Sequence, residues 1–307
     1  MTVIDESALV PETSRTEPDR RRRAVTRMSV AAVVCALALV VLATVFVGTR
    51  PGQRVDNAAL RGQIVQHPRD AGRTERVLRT ISVGSLLLLG AALMGIALVR
   101  GRLHLALGVG AVIAGSNITT QAFKALVTRP HLISDSHLIA FNTLPSGHST
   151  VAASLAAALV LVAPVRLRPL AATLGALYAS GIAAGTLAAG WHRPSDAVAA
   201  FAVVGIWTFG VSAVLVGWRG TGSPRVSVGL PGLVIGAILV LALAFGVISV
   251  STTIDSANGI HTVRLGLAYV AALASIVVIG VVFFVSEVLV LRGVSLDAPS
   301  RDRSTWT

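Results

Sequence analysis

Eight apolar runs constrain this chain more than any other feature. They lie at about 29–48, 80–99, 103–127, 148–165, 170–189, 196–217, 228–250 and 265–291. Each is near the ~20 residues that a helix needs to cross a bilayer. Hydrophobic residues make up 54% of the chain and charged residues only 13%, where a soluble domain carries roughly 25% charged residues. Mean hydropathy is +0.77. The expectation is an all-α, polytopic membrane helical bundle of about eight transmembrane helices. The first run is too long for the core of a signal peptide, and no small-residue cleavage pattern follows it, so it reads as a signal anchor.

The net charge of +12 sits in clusters between the runs. That pattern suits membrane topology and anionic headgroups, and no nucleic-acid motif accompanies it. Residues 1–28, with Pro11, Pro18 and the run Arg20 to Arg23, read as a disordered tail. The basic residues Arg100, Arg102, Arg166, Arg168, Arg219, Arg225, Arg292, Arg301 and Arg303 fall on one side of the bundle with that tail. The positive-inside rule makes this side cytoplasmic, with both termini there. The stretch 50–79 opposes the rule with seven arginines. It is expected outside, either along the headgroups or as a solvated loop. Gly181 and Gly185, continued by Ala189, form a small-residue face that predicts close helix packing. Cys35 is the single cysteine, so no internal disulfide forms.

Span parity brings three polar clusters to one face, the extracytoplasmic one. The first runs from Lys124, the chain's only lysine, to Arg129-Pro130. Asn117, Gln121 and Lys124 are spaced by four and three and share a helix face. The second is Pro145-Ser146-Gly147-His148. Proline fits a first helical turn. The free amides of such a turn attract an anion, and Ser146 and Gly147 allow close approach. His148 stands beside them as a proton donor or acceptor. The third is Trp191-His192-Arg193-Pro194-Ser195-Asp196. The four-residue spacing of His192 and Asp196 can join them across a turn, which orients the ring for nucleophilic attack. His131, Asp135 and His137 lie in the loop before the second cluster and read as solvated, with substrate selection as their functional alternative.

Two histidines, a carboxylate and several cations at a lipid–water boundary fit phosphoryl transfer. Lys124, Arg129, Ser146, Gly147 and Arg193 are the candidate phosphate-binding residues. His192, His148 and Asp196 are the candidate catalytic ones: nucleophile, general acid/base and orienting carboxylate. No metal or other cofactor is required.

These three blocks resemble the type 2 phosphatidic acid phosphatase (lipid phosphate phosphatase) family. The resemblance implies a six-helix core with its site at the outer face, a metal-independent phosphatase activity on a lipid phosphate or pyrophosphate, and a phosphohistidine intermediate. On this reading residues 29–217 form the core, 218–292 an appended two-span hairpin and 293–307 a cytoplasmic tail. The second block matches fully, and by resemblance His148 is the acid/base. His192 and Asp196 match the third. Two departures stand out. Arg129-Pro130 comes two residues early, and the third block's Ser-Arg positions hold Gly185 and Thr186. The alternative reading is therefore a catalytically impaired relative that binds or moves phospholipid.

Overall fold

A computed structural model describes residues 17–66, 83–133, 139, 141–221, 232–238, 240–241 and 260–296. Every described element is a helix. In chain order these are α1 (Glu17–Leu42, continued by a π-helical turn Ala43–Val47), α2 (Arg50–Gln66), α3 (Val83–Val99), α4 (Leu103–Leu126), α5 (Gly147–Val162), α6 (Arg168–Ala188), α7 (Pro194–Arg219) and α8 (Ile260–Val290). Five helices are long and apolar enough to span a membrane: those within Glu17–Val47, Leu103–Leu126, Val165–Ala188, Pro194–Arg219 and Thr262–Val290. Leu88–Val99 and Gly147–Val162 are shorter apolar helices. The run expected at 228–250 lies mostly outside the described residues.

Lipid tails are as apolar as leucine, so these helices associate by close packing rather than by hydrophobic exclusion. Small residues permit it. A Cβ on Gly205 of α7 would come within 2.5 Å of Cys35 Sγ on α1, and this pair of helices shares the most extensive contact in the fold. Gly175 of α6 admits Phe284 of α8, and Gly115 of α4 lies against the Trp207 ring. Gly181, by contrast, faces open space. The expected appended hairpin contributes α8, which packs into the centre of the bundle. Phe283 and Phe284 meet each other edge to face with centroids 4.9 Å apart, and Phe283 also stacks near Phe201 and Phe209.

The basic clusters have a structural task beyond topology. The last carbonyls of a helix lack intrahelical donors, and arginines supply them here. Arg27 donates to the carbonyls of Val290 and Arg292 at 2.9 and 2.8 Å. Arg100 donates to Val162 at the end of α5, and Arg168 to Leu291 and Val294. Residues 17–28, expected to be disordered tail, are therefore helical. Glu17 accepts from the amide and hydroxyl of Thr221, and Arg27 is held as above. Residues 293–296, expected as tail, also pack in, with Val294 and Leu296 buried. Glu287 of α8 is fully buried.

α2 inverts the usual amphipathic pattern. Gln53, Asp56, Asn57 and Gln63 are buried, whereas Val55 and Ile64 are exposed. The stretch opposing the positive-inside rule thus begins as a helix whose polar face turns inward, while exposed Arg50, Arg54, Val55 and Ile64 face outward. Gly62 sets its distance from α8: a Cβ there would collide with the Leu265 carbonyl oxygen. Gly62→Val must push α2 off α8. The expected loss is about 1–3 kcal/mol, read as a lower melting temperature in detergent; an unchanged melt would contradict this packing.

Candidate active site

The first cluster reaches the second because α4 and α5 are pinned along their length. Thr120 Oγ1 and Thr150 Oγ1 share a hydrogen bond at 3.0 Å. The Asn117 amide donates to the Ile113 carbonyl and to Ser154 Oγ. Asn117 is thus spent on packing, and the next turn of α4 carries the functional groups. A Cβ on Gly147 would stand 3.7 Å from both Lys124 Nζ and Gln121 Nε2. Glycine there keeps the start of α5 open to whatever Lys124 binds.

Ser146 caps α5 rather than facing a ligand. It is fully buried. Its Oγ lies 3.4 Å from the Ser149 amide and 2.9 Å from Ser149 Oγ. Its own N–H donates to the Asp196 carbonyl at 2.9 Å, which locks the second cluster to the third. The first-turn amides of Gly147 and His148 are the ones in this turn suited to meet an anion. The His148 ring lies 5.2 Å from that of Trp191, within electrostatic range of Lys124 and His192.

His192 meets Asp196 across the start of α7, Nδ1 to Oδ2 at 3.2 Å. The same Oδ2 accepts from the Arg193 amide and from Thr143 Oγ1. Asp196 is fully buried and His192 nearly so. With Nδ1 held, Nε2 is the nitrogen left for chemistry. Pro194 begins α7, and the turn before it is shaped by Gly190 at φ +70°. Gln63 of α2 braces this turn by donating to the Ala188 carbonyl at 2.9 Å.

The two candidate arginines separate. Arg193 is 1% exposed and its guanidinium is occupied by protein acceptors: Asn57 Oδ1, Thr143 Oγ1 and the Ile139 carbonyl. It ties α2 and the loop before α5 to the start of α7. Arg129 has a side chain only 5% exposed, yet its Nη1 and Nη2 have no hydrogen-bond partner among the described residues. Its nearest anion is Asp56, 3.8 Å from Nη2. A buried guanidinium with both terminal nitrogens unfilled is costly unless an acceptor arrives. Thr186, at the position where the resemblance implies arginine, is fully buried. Its hydroxyl donates to Ala183 and its carbonyl accepts from the amides of Trp191 and His192.

α2 supplies residues the sequence reading did not place at the site. Asp56 accepts from Ser195 Oγ at 2.6 Å and from the Ser195 amide at 3.2 Å. Gln53 donates to the carbonyls of Val47 and Pro130. The available signal was spacing: Gln53, Asp56, Asn57 and Gln63 recur on one helical face. Burial, with the Asp196 charge nearby, pushes the Asp56 carboxyl up to about 7. His131 is exposed, and Asp135 and His137 lie outside the described residues. Among the described residues no group of three or more His, Cys, Asp or Glu side chains has the placement to hold a metal ion.

Lys124, His148, His192 and Asp196 thus converge, with Arg129 beside them on Asp56. Residues 105–221 match the model of the PAP2 superfamily. No curated protein and no solved structure matches the chain. The matched region carries all three clusters, and the match supports a phosphatase-type function in general, hydrolysis of a phosphoric ester. α1, α2, α3 and α8 lie outside it.

Arg193 as a strut and Arg129 as a waiting cation predict opposite behaviour in the melt. Arg193→Ala strands Asn57 and Thr143, and its expected cost is about 2–4 kcal/mol of stability. Arg129→Ala removes a guanidinium that makes no hydrogen bond through its buried terminal nitrogens, and its expected loss is smaller than that of Arg193→Ala. Thermal denaturation of both variants in detergent compares them; equal losses would contradict the assignment.

Proposed function

We propose that this protein is a membrane phosphatase that hydrolyses a lipid phosphate or pyrophosphate at the extracytoplasmic face through a phosphohistidine on His192. The observation that carries the reading is the His192–Asp196 contact facing a set of phosphate-directed donors: Lys124, the α5 amides and the unfilled Arg129. Those donors hold the equatorial phosphoryl oxygens and offset the transition-state charge. The Nε2 of His192 attacks phosphorus while the bond to the lipid oxygen breaks. Asp196 stabilises the charge that the ring acquires. His148 gives its proton to the leaving oxygen. It then takes a proton from the water that attacks the phosphohistidine, so the N–P bond breaks, phosphate leaves and both histidines are restored.

Orientation follows from the two ends of the bundle. α7 runs from the site to Arg219, about 39 Å at 1.5 Å per residue. The start of α1 and the end of α8 sit at that far end, held by Glu17–Thr221 and Arg27–Val290. Arg20 to Arg23, Arg27 and Arg292 therefore lie opposite the site, and by the positive-inside rule the site end is extracytoplasmic. A site at the bilayer boundary, flanked by a helix with exposed Val55 and Ile64 beside Arg50 and Arg54, favours a substrate anchored in the outer leaflet.

The missing arginine at Thr186 favours a second reading, a PAP2 protein that binds or moves phospholipid without hydrolysis. Phosphate release by the purified protein separates the two. Polyprenyl pyrophosphate, phosphatidic acid and phosphatidylglycerol phosphate form the panel. The proposed enzyme releases phosphate from at least one, and His192→Ala abolishes it. Lipid binding without release by the parent protein supports the second reading.

A further inference from the structure

Asp56 stands at a crossing that the PAP2 region does not contain. It is 1% exposed and fixed by Ser195 at the start of α7. Its Oδ2 lies 3.8 Å from Arg129 Nη2, too far for a hydrogen bond and close enough to offset the charge. Arg129 is left with both terminal nitrogens unfilled. Such a fork matches two oxygens of a phosphoryl group. A carboxylate placed this way competes with that group for the same cation.

Resting on the phosphatase reading above, we propose that Asp56 is the resident counter-ion of Arg129, and that its ionisation sets how tightly the site holds a phosphoryl dianion. With Asp56 protonated, the full Arg129 charge is offered to the substrate. With Asp56 ionised, Arg129 is partly neutralised. The incoming dianion then also meets two carboxylates, Asp56 and Asp196, either side of Ser195. No bond is made or broken at Asp56, so it is a positioning residue.

The charged neighbours on each side fit this role. The loop after α4 presents Arg129, and its His131 is exposed. The start of α7 presents Arg193 and Asp196, both within electrostatic range. α8 packs on the Gly62 side of α2 through Leu265 and Tyr269, and its Arg264 is exposed. The π turn after α1 and the end of α6 bring no charge. Burial and the Asp196 charge place the Asp56 transition at about 7, within the working range of a surface enzyme.

The test is the pH dependence of KM for p-nitrophenyl phosphate, which stays dianionic from about pH 6 to about pH 9, so the substrate's own titration is removed. In the purified full-length protein KM is expected to rise about tenfold across the Asp56 transition, with kcat changing by less than about threefold. In Asp56→Asn the rise disappears and KM keeps its low-pH value. A flat wild-type KM overturns the proposal while leaving the phosphatase reading intact. So does an Asp56→Asn enzyme that keeps the inflection, or one that loses kcat equally at every pH, as a merely structural residue would. No hydrolysis at any pH overturns both. If Asp56→Asn does not fold, Arg129→Gln replaces it: KM is then high and flat, and a retained inflection overturns the assignment.

The same ionisation must appear in stability. Asp56 has a folded pKa raised above that of the unfolded chain, so its contribution is fully present below about pH 4 and lost as pH rises through about 7. Wild type should therefore lose more melting temperature than Asp56→Asn over that window; parallel melts would overturn the proposal.

Discussion

Asp196 is the group on which the site's assembly depends. Its Oδ2 takes the His192 ring nitrogen, the Arg193 amide and the Thr143 hydroxyl, and its carbonyl takes the Ser146 amide. One residue thereby fixes the proposed nucleophile, starts α7, anchors the loop before α5 and joins the two helix N-termini. All three donors converge on Oδ2, while Oδ1 is buried with no hydrogen-bond partner among the described residues. Remove the carboxylate and four elements lose their common reference point.

The second constraint is the inverted helix α2. Burying Gln53, Asp56, Asn57 and Gln63 would be unfavourable without partners. Each of the four has a partner in the site or its supports: Pro130, Ser195, Arg193 and Ala188. α2 is in effect a polar wall supplied from outside the PAP2 region. It faces the region's three clusters while its exposed side carries arginines and apolar residues. With threonine at position 186, the cations beside His192 and His148 are Lys124 and Arg129. Arg193 is diverted into structure, and Arg129, two residues early in the chain, is the cation left with open valences.

Much of this was legible in the sequence, for reasons that can be named. Apolar runs of bilayer length and glycine or proline at helix starts gave the all-helical bundle. The four-residue spacing gave the His192–Asp196 pair, and span parity gave the common face. What stayed hidden depends on partners distant in the chain. The arginines near the termini read as topology signals alone, because nothing local shows that Arg27 and Arg168 meet the end of α8. Ser146 looked like an anion ligand, but its neighbours Ser149 and Asp196 consume it. Arg193 looked free because Asn57 lies 136 residues away. α2 was read as loop or headgroup segment because its buried face is polar, which defeats a hydrophobic-periodicity search.

The most direct test of the central claim is to trap the phosphoenzyme. Wild-type protein, mixed with radiolabelled lipid phosphate and quenched within a turnover, should carry acid-labile phosphate that maps to a peptide containing His192. The label should vanish in His192→Ala and accumulate in His148→Ala, where the water that releases it lacks its base. Turnover with no trapped label in either protein, or label on another residue, would contradict the account.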